Sequence, residues 1–218
     1  MKRILALSGL LVVASTSMAA VTQIFTRGAI TPQAELDWGI LGTTNTVVGS
    51  PVLTSTTSGD IFNVLVTGPG QTMERRDEGN GWAGNFDAGD RLLWTRDTNG
   101  PMTLKFAKTV KDVGMNIQRD MYGDFTAKIT AYNGLDQALG SFTVNGNSNG
   151  NQDGSAPFLG VHSDISDILS IKVEMTDSED FAINKLTFDG CNPVPEPASM
   201  SALALGVAGL IRRKMKKS

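Results

Sequence analysis

The stretch FTAKITAY, residues 125–132, decides the fold class because its apolar and polar side chains alternate strictly. Such a period of two places one side of an extended segment on a core and the other side in solvent. The same alternation recurs in residues 102–106, 113–117 and 169–175. Between residues 20 and 192, no segment sustains the 3.6-residue apolar repeat of a helix. The sequence therefore predicts β-strands throughout its central part.

Shorter apolar runs and turn signals extend this pattern along the chain. The shorter strand candidates are residues 61–66, 92–95, 141–144, 181–183 and 186–188. Turns rich in Gly, Asn and Pro separate the strand candidates, which is typical of antiparallel sandwiches. We expect residues 20–191 to form one all-β domain, an antiparallel β-sandwich. Residues 21–90 should add further strands and long surface loops.

Composition and charge exclude several classes of protein. The 218 residues include one Cys and one His, which excludes an internal disulfide framework, a zinc finger and any site with two imidazoles. Two basic residues precede Ala20 and five follow Pro195, which leaves 12 basic against 21 acidic residues between the two ends. An acidic body of this kind lacks the clustered Lys and Arg that phosphate backbones require. We therefore expect no nucleic-acid partner.

The first 19 residues have the three parts of a secretory signal peptide. Lys2 and Arg3 give a positive start, residues 4–14 are an apolar run, and Ser17 and Ala19 are small residues at the positions a signal peptidase requires. The run is shorter than the ~20 residues that span a bilayer as a helix. Residues 1–19 are thus predicted to be a cleaved export signal, with a retained N-terminal anchor as the alternative.

The last 27 residues, 192–218, also contain three parts in a fixed order. A Pro-Glu-Pro triplet at 195–197 fixes an extended backbone, because proline is incompatible with a helix interior. An apolar stretch at 200–211 can form a single transmembrane helix, and the basic end that follows would stay on the cytoplasmic side. The stretch is short enough to suit a buried helix as well. The basic end favours the membrane.

This order of parts resembles the PEP-CTERM sorting signal of exported bacterial proteins. The resemblance implies recognition by exosortase, a membrane-embedded processing enzyme, with Pro195, Glu196 and Pro197 as recognition residues and Arg212 and Arg213 as the stop signal. It also implies transient residence in the inner membrane, a cut near the Pro-Glu-Pro triplet, and delivery to the cell surface or an exopolysaccharide matrix. An ordinary tail anchor is the alternative.

The strand order from residue 92 to residue 189 resembles the jelly-roll domains common in PEP-CTERM proteins. These domains are similar in outline to carbohydrate-binding β-sandwiches. They often carry Asp where Asn184 stands in this chain. The resemblance implies a jelly-roll-like sandwich, and the Asn184 departure counts against a metal site at that position.

One loop offers the groups that sugar recognition needs. Trp82 lies among glycines and asparagines in residues 79–86, and an exposed ring there could stack on a pyranose while Asn80 or Asn85 bonds hydroxyl groups. The alternative is that Trp82 plugs the edge of the sandwich. The loop therefore gives a candidate carbohydrate site at Trp82, Asn80 and Asn85.

Acidic residues give a candidate calcium site. Calcium takes hard oxygen ligands and needs neither Cys nor His. Asp120 with Asp124, and Asp180 in the acidic run 177–180, are the candidate ligands. Neither group has the spacing of a twelve-residue calcium loop, so solvated loop acids are the alternative.

The sequence contains no recognisable set of catalytic residues. His162 is the sole imidazole, and no Gly-x-Ser-x-Gly motif occurs. We expect no enzymatic activity. The first hypothesis is an exported surface or matrix protein associated with extracellular polysaccharide, the second is a carbohydrate-binding module, and the third is a secreted hydrolase.

Overall fold

The computed structural model describes residues 20–31, 33–59 and 61–189. The predicted signal peptide, the sorting tail and Cys191 lie outside these residues. The described part is an all-β, jelly-roll-like sandwich with two short 3-10 turns, Arg27–Ala29 and Trp38–Leu41, which confirms the predicted fold class. Within the described residues, no helix has the length and apolar character that crossing a bilayer requires.

Sixteen strands make up the described part. In chain order they are β1 Val21–Ile24, β2 Gln33–Leu36, β3 Thr46–Gly49, β4 Val52–Ser55, β5 Asn63–Thr67, β6 Thr72–Glu78, β7 Gly81–Trp82, β8 Arg91–Trp94, β9 Met102–Val110, β10 Asp112–Arg119, β11 Gly123–Tyr132, β12 Ala138–Ser148, β13 Phe158–Ser163, β14 Ile168–Met175, β15 Phe181–Ile183 and β16 Leu186–Asp189.

The strands form two sheets packed face to face. The first sheet runs β1-β13-β10-β15-β8-β6-β3, with β16 beside β10, β2 beside β16 and β7 beside β6. The second sheet runs β12-β11-β14-β9-β5-β4. The paired strands of the described part are antiparallel except β6 and β7. This pairing gives the sandwich its two inner faces.

The alternation in residues 125–132 fills the space between the sheets. Phe125, Ala127 and Ile129 of β11 are buried in the main core, while Thr126 and Lys128 turn away from it. Burying one such large apolar side chain contributes roughly 1.5–3 kcal/mol. The apolar face of this strand therefore holds the second sheet against the first.

A second, smaller core lies on the opposite face of the first sheet. Leu93 of β8 points into the main core, so its neighbours Leu92 and Trp94 point the other way. Trp82, Phe86 and residues from two other segments cover them and form an outer cluster of Trp82, Phe86, Leu92, Trp94, Ala156 and Ala182. The loop between β6 and β8 is thus a lid on the outside of the first sheet.

The chain's first and last described strands both join the first sheet. Strand β1 pairs with β13, and β16 pairs with β10 and β2. Asp189, the last residue of β16, accepts hydrogen bonds from the backbone N–H groups of Lys111 (2.7 Å) and Asp112 (3.1 Å). The end of the described chain is therefore fixed to the sheet.

Candidate functional site

The glycines of residues 79–84 determine where Trp82 lies. Gly81 has a φ of +95°, a backbone conformation that favours glycine. A Cβ atom at Gly84 would collide with the Trp82 indole nitrogen and with Oε1 of Gln118. The loop can therefore fold the indole back against the sheet only because Gly84 has no side chain.

Trp82 does not present an exposed platform. Its side chain is 7% exposed, and its ring centroid lies 6.1 Å from that of Trp94 in an edge-to-face arrangement. The prediction that Trp82 exposes a stacking surface for a pyranose is therefore wrong. Burying a large aromatic ring is more stabilising than leaving it in water. Trp82 instead plugs the outer side of the first sheet.

Asn85 is fully buried, and its amide is occupied by protein groups. Its Nδ2 donates to Oδ1 of Asn149 (2.8 Å), Oδ1 of Asp153 (3.2 Å) and Oγ of Ser155 (3.1 Å), and its Oδ1 accepts from Nε2 of Gln118 (3.1 Å). The hydrogen bonds from Ser155 and Asn85 lower the pKa of Asp153 to about 2. Asn85 therefore fastens the loop at 149–155 and has no free group for a sugar.

Asn80 has a different environment from its two predicted partners. It is exposed, and its backbone carbonyl accepts a hydrogen bond of 2.7 Å from Oγ1 of Thr44. It also lines a cavity on the side of the first sheet, whose lining does not include the buried Trp82 and Asn85. The three predicted residues do not form one exposed surface.

The predicted calcium ligands divide between two places. Asp120 and Asp180 lie together with Asp97, and one carboxylate oxygen of each is within 4.8 Å of the others. Asp124 instead accepts a hydrogen bond of 2.7 Å from Nδ2 of Asn147, its partner on β12. The structure thus brings two of the three predicted residues together, separates Asp124 from them, and adds Asp97.

Backbone and indole groups fix this acidic cluster of Asp97, Asp120 and Asp180. The buried Asp180 accepts hydrogen bonds at Oδ2 from the Trp94 indole (2.8 Å) and the Asp97 backbone N–H (3.2 Å). Burial first, and then the negative charges of Asp180 and Asp97, raise the pKa of Asp120, while Arg76 opposes the increase. Three converging carboxylates can ligate a hard cation. Calcium binding here stays a prediction.

Replacing Asp120 by Asn should raise the melting temperature at neutral pH. The folded-state pKa of Asp120 is raised, so ionising this carboxyl costs more free energy in the folded protein than in the unfolded chain. Stability from this group is complete below its ordinary pKa of 3.8 and declines as pH rises through the raised value. The gain in melting temperature should therefore appear at pH 7 and vanish at pH 3.

Thermal unfolding followed by circular dichroism at the two pH values checks this expectation. Glu179→Gln, next to Asp180 but outside the cluster, is the control. An equal change in both variants, or a gain at pH 3 as large as that at pH 7, would contradict the electrostatic reading.

His162 lies on β13, opposite Thr22 of β1 and Asp112 of β10. Its Nδ1 is 2.5 Å from Oδ1 of Asp112, and its Nε2 is 3.5 Å from Oδ1 of Asp164. Both ring nitrogens therefore face carboxylates. The absence of enzymatic activity stays a prediction.

Comparison with known proteins identifies a motif in the tail. Residues 193–216 match the PEP-CTERM protein-sorting motif, a span that includes Pro195, Glu196, Pro197, Arg212 and Arg213. No curated protein is significantly similar to the chain.

Solved structures share the outline of the sandwich. A DUF4465 family protein from Bacteroides caccae is 13% identical, with 71% of this chain and 98% of that chain covered and a TM-score of 0.40. CsCBM6-3 from Clostridium stercorarium, solved in complex with cellobiose, is 11% identical, with 69% and 99% covered and a TM-score of 0.33. TmCBM61, solved in complex with β-1,4-galactotriose, is 12% identical, with 57% and 87% covered and a TM-score of 0.28. These similarities concern the fold alone.

The sorting motif follows the body closely. Strand β16 ends at Asp189, and the matched span begins at residue 193. All strands of the described part precede the motif. The chain is therefore an exported protein that carries a PEP-CTERM motif, the exosortase recognition signal, behind a jelly-roll-like β-sandwich body.

Proposed function

We propose that this protein is a cell-surface or extracellular-matrix component that an exosortase-type enzyme processes near Pro195–Pro197. The observation that carries the proposal is the PEP-CTERM motif at residues 193–216, placed after the last described strand. Its apolar stretch holds the chain in the inner membrane before processing. The sandwich body then remains outside, where it associates with extracellular polysaccharide by binding rather than by catalysis.

Two features of the body support this proposal. The sixteen described strands end at Asp189, so a cut near the motif removes none of them. The body carries 21 acidic and 12 basic residues, a balance that keeps it soluble and away from other polyanions. Tail and body therefore act as separable parts, one for delivery and one for the final role.

Deleting residues 195–218 should send most of the protein into the medium instead of the surface fraction. Fractionation followed by immunoblotting measures the distribution. An unchanged distribution would refute the sorting role of the tail.

A second variant distinguishes exosortase sorting from an ordinary tail anchor. Replacing Pro195, Glu196 and Pro197 by alanine leaves the apolar stretch and the basic end intact. Exosortase sorting predicts that this variant accumulates uncut in the inner membrane. A simple anchor predicts the same location and mass for the variant and the wild type.

A further inference from the structure

A polar groove of about 580 Å³ opens on the outer face of the second sheet, where β11 and β12 run side by side. Its volume falls within the roughly 300–1,000 Å³ of clefts that hold small ligands. The polar residues that line it are Asp124, Thr126, Asn145, Asn147, Thr176 and Asp177. None of them belongs to the acidic cluster or to the loop of Trp82, so the groove is separate from both.

The register of the two strands places four of these side chains together on the outer face. Asp124 lies opposite Asn147, and Thr126 lies opposite Asn145. Phe125, between Asp124 and Thr126, is buried in the main core, so its two neighbours point away from that core. The three Asp and Asn residues are exposed and Thr126 is half-buried. The four side chains therefore form a polar patch that is open to solvent.

Two hydrogen bonds orient this patch and leave one donor and one acceptor unused. Nδ2 of Asn147 donates to Oδ1 of Asp124 (2.7 Å), and Oγ1 of Thr126 donates to Oδ1 of Asn145 (2.8 Å). Among the described residues, Nδ2 of Asn145 has no acceptor and Oδ2 of Asp124 has no donor. Asp124 and Asn145 are diagonal neighbours across the strand pair, so these two atoms can bond different hydroxyl groups of one ligand.

Thr176 and Asp177 form a wall of the groove just after β14. The backbone N–H of Thr176 donates to the carbonyl of Thr126 (2.9 Å), which continues the pairing of β14 with β11. Asp177 accepts a hydrogen bond from Nη1 of Arg119 (2.9 Å), whose Nη2 donates to the carbonyl of Tyr122 (3.0 Å). One guanidinium therefore joins the wall to the turn before β11.

Tyr122, in this turn, has an exposed and fixed aromatic ring. It precedes Asp124 by two residues, and it is 60% exposed. Its hydroxyl donates to the carbonyl of Ala83 (3.1 Å), and its own carbonyl accepts from Arg119, so the residue is held at both ends. A ring that is fixed in advance loses little conformational entropy on binding. Its apolar body suits the apolar face of a pyranose.

The groove and the ring of Tyr122 are connected by the residues that end β12 and follow it. Asn147 lines the groove, and its Oδ1 accepts a hydrogen bond from Nδ2 of Asn149 (3.3 Å). The next residue, Gly150, lies against Tyr122, since a Cβ atom there would be 2.7 Å from the tyrosine hydroxyl oxygen. An extended ligand that leaves the groove past Asn147 therefore approaches Tyr122.

The charges of the groove favour a neutral ligand. Asp177 is paired with Arg119, while Asp124 makes no ion pair within the described residues. No lysine or arginine is among the residues that line the groove. An anionic ligand would therefore face Asp124 without a compensating cation.

We propose that the polar groove binds a neutral polysaccharide chain, with one sugar unit bonded through its hydroxyl groups to Asn145 and Asp124 and the adjoining unit packed on Tyr122. The proposal rests on the proposed function, because export to the surface brings the body into contact with polysaccharide. It moves the sugar site from the loop of Trp82 to the second sheet, where an amide and a nearby aromatic ring are both exposed.

Isothermal titration calorimetry with the full-length protein in mild detergent tests the polar groove. The probes are cellotetraose, mannotetraose and laminaritetraose, with an alginate tetrasaccharide as the anionic comparator. At least one neutral probe should bind, and the anionic probe should bind at least tenfold more weakly.

Three groove variants locate the binding. Asn145→Ala removes the unused amide, and Asp124→Asn keeps Oδ1 but replaces Oδ2 by an amide nitrogen; each should weaken binding at least fivefold. Thr176→Trp fills the groove and should abolish binding. All three residues are exposed, so the variants should keep the wild-type fold, which far-UV circular dichroism checks.

Two further comparisons separate specific contacts from general effects. Tyr122→Ala should weaken binding at least fivefold, whereas Tyr122→Phe keeps the ring, loses only the hydrogen bond to Ala83 and should retain most of the affinity. Asn63→Ala, at an exposed asparagine on β5 of the same sheet, is the matched control for Asn145→Ala and should leave affinity unchanged.

Binding of no neutral probe at millimolar concentration would overturn the proposal. Retained affinity in all three groove variants, loss of affinity in Asn63→Ala, or preference for the anionic probe would overturn it as well. Failure here with normal sorting of the wild-type chain rejects the sugar site alone. Normal sugar binding with no effect of tail deletion rejects the sorting role alone.

Discussion

Replacing Arg27 by alanine should lower the free energy of unfolding by about 3 kcal/mol, because several acceptors lose a charged donor at once. The half-buried guanidinium donates to the carbonyl of Lys185 (3.0 Å), Oγ1 of Thr187, Oδ1 of Asn116 (3.0 Å) and Oδ1 of Asn184 (2.9 Å). Burial lowers the pKa of Arg27, and nearby acids partly offset this. Arg27 therefore joins the N-terminal segment to strand β10 and to the segment before β16.

Urea unfolding of the wild type and of Arg27→Ala measures the loss. Arg27→Lys is the matched control, since it keeps the charge but cannot reproduce the planar fork of donors. We expect Arg27→Lys to lose more than half of the same stability. A loss below about 1 kcal/mol in Arg27→Ala would place it among ordinary surface substitutions and contradict this role.

The same network explains why this chain has Asn at position 184. The Asn184 amide donates to Oδ2 of Asp90 (2.9 Å), while its Oδ1 accepts from Arg27 and from the backbone N–H of Asn116 (2.8 Å). A carboxylate has no donor for Asp90 and would add a like charge beside it. The Arg27 guanidinium, which donates to oxygen atoms of the protein, supplies the positive charge beside Asn184.

Replacing Trp82 by alanine should lower the free energy of unfolding by about 3–4 kcal/mol, as for other large-to-small substitutions at buried sites. The indole covers the outer cluster and contacts Trp94, whose own indole donates to Asp180. Removing it exposes Leu92 and Phe86 to water. Urea denaturation followed by far-UV circular dichroism gives the measurement.

Trp82→Phe is the control for this substitution. A phenyl ring keeps the edge-to-face partner of Trp94 and most of the buried area, so its loss should be less than half that of alanine. If Trp82→Ala unfolds at the same urea concentration as the wild type, the ring does not plug the sheet. The prediction of an exposed, sugar-stacking Trp82 would then regain support.

The strands were predictable wherever one face alone meets the core. Residues 125–132 and 169–175 correspond to β11 and β14, because a half-buried strand shows its period of two in the sequence. The expectation of further strands in residues 21–90 was unspecific. Strand β6, TMERRDE, contains five charged side chains and no alternation, and its place follows from pairing with β3 and β8.

The candidate sites were less predictable, because each depends on segments far apart in the chain. Asp97 joins Asp120 and Asp180 through a loop in which Arg96 and Asp97 have positive φ angles, and no local motif marks it. Asn85 has the composition of a sugar ligand, but its partners at 149–155 consume its amide. The glycine at position 84 was the one local signal that the Trp82 loop folds inward.

The pairing of the outermost strands has a consequence for the order of folding. Val21 lies opposite Ser163 and Leu36 opposite Leu186, so the first segments of the body cannot pair until the last ones are present. Such high contact order slows folding, since distant segments must meet before their pairing is rewarded. The sandwich of the described residues can therefore close only when its last strands are available for pairing.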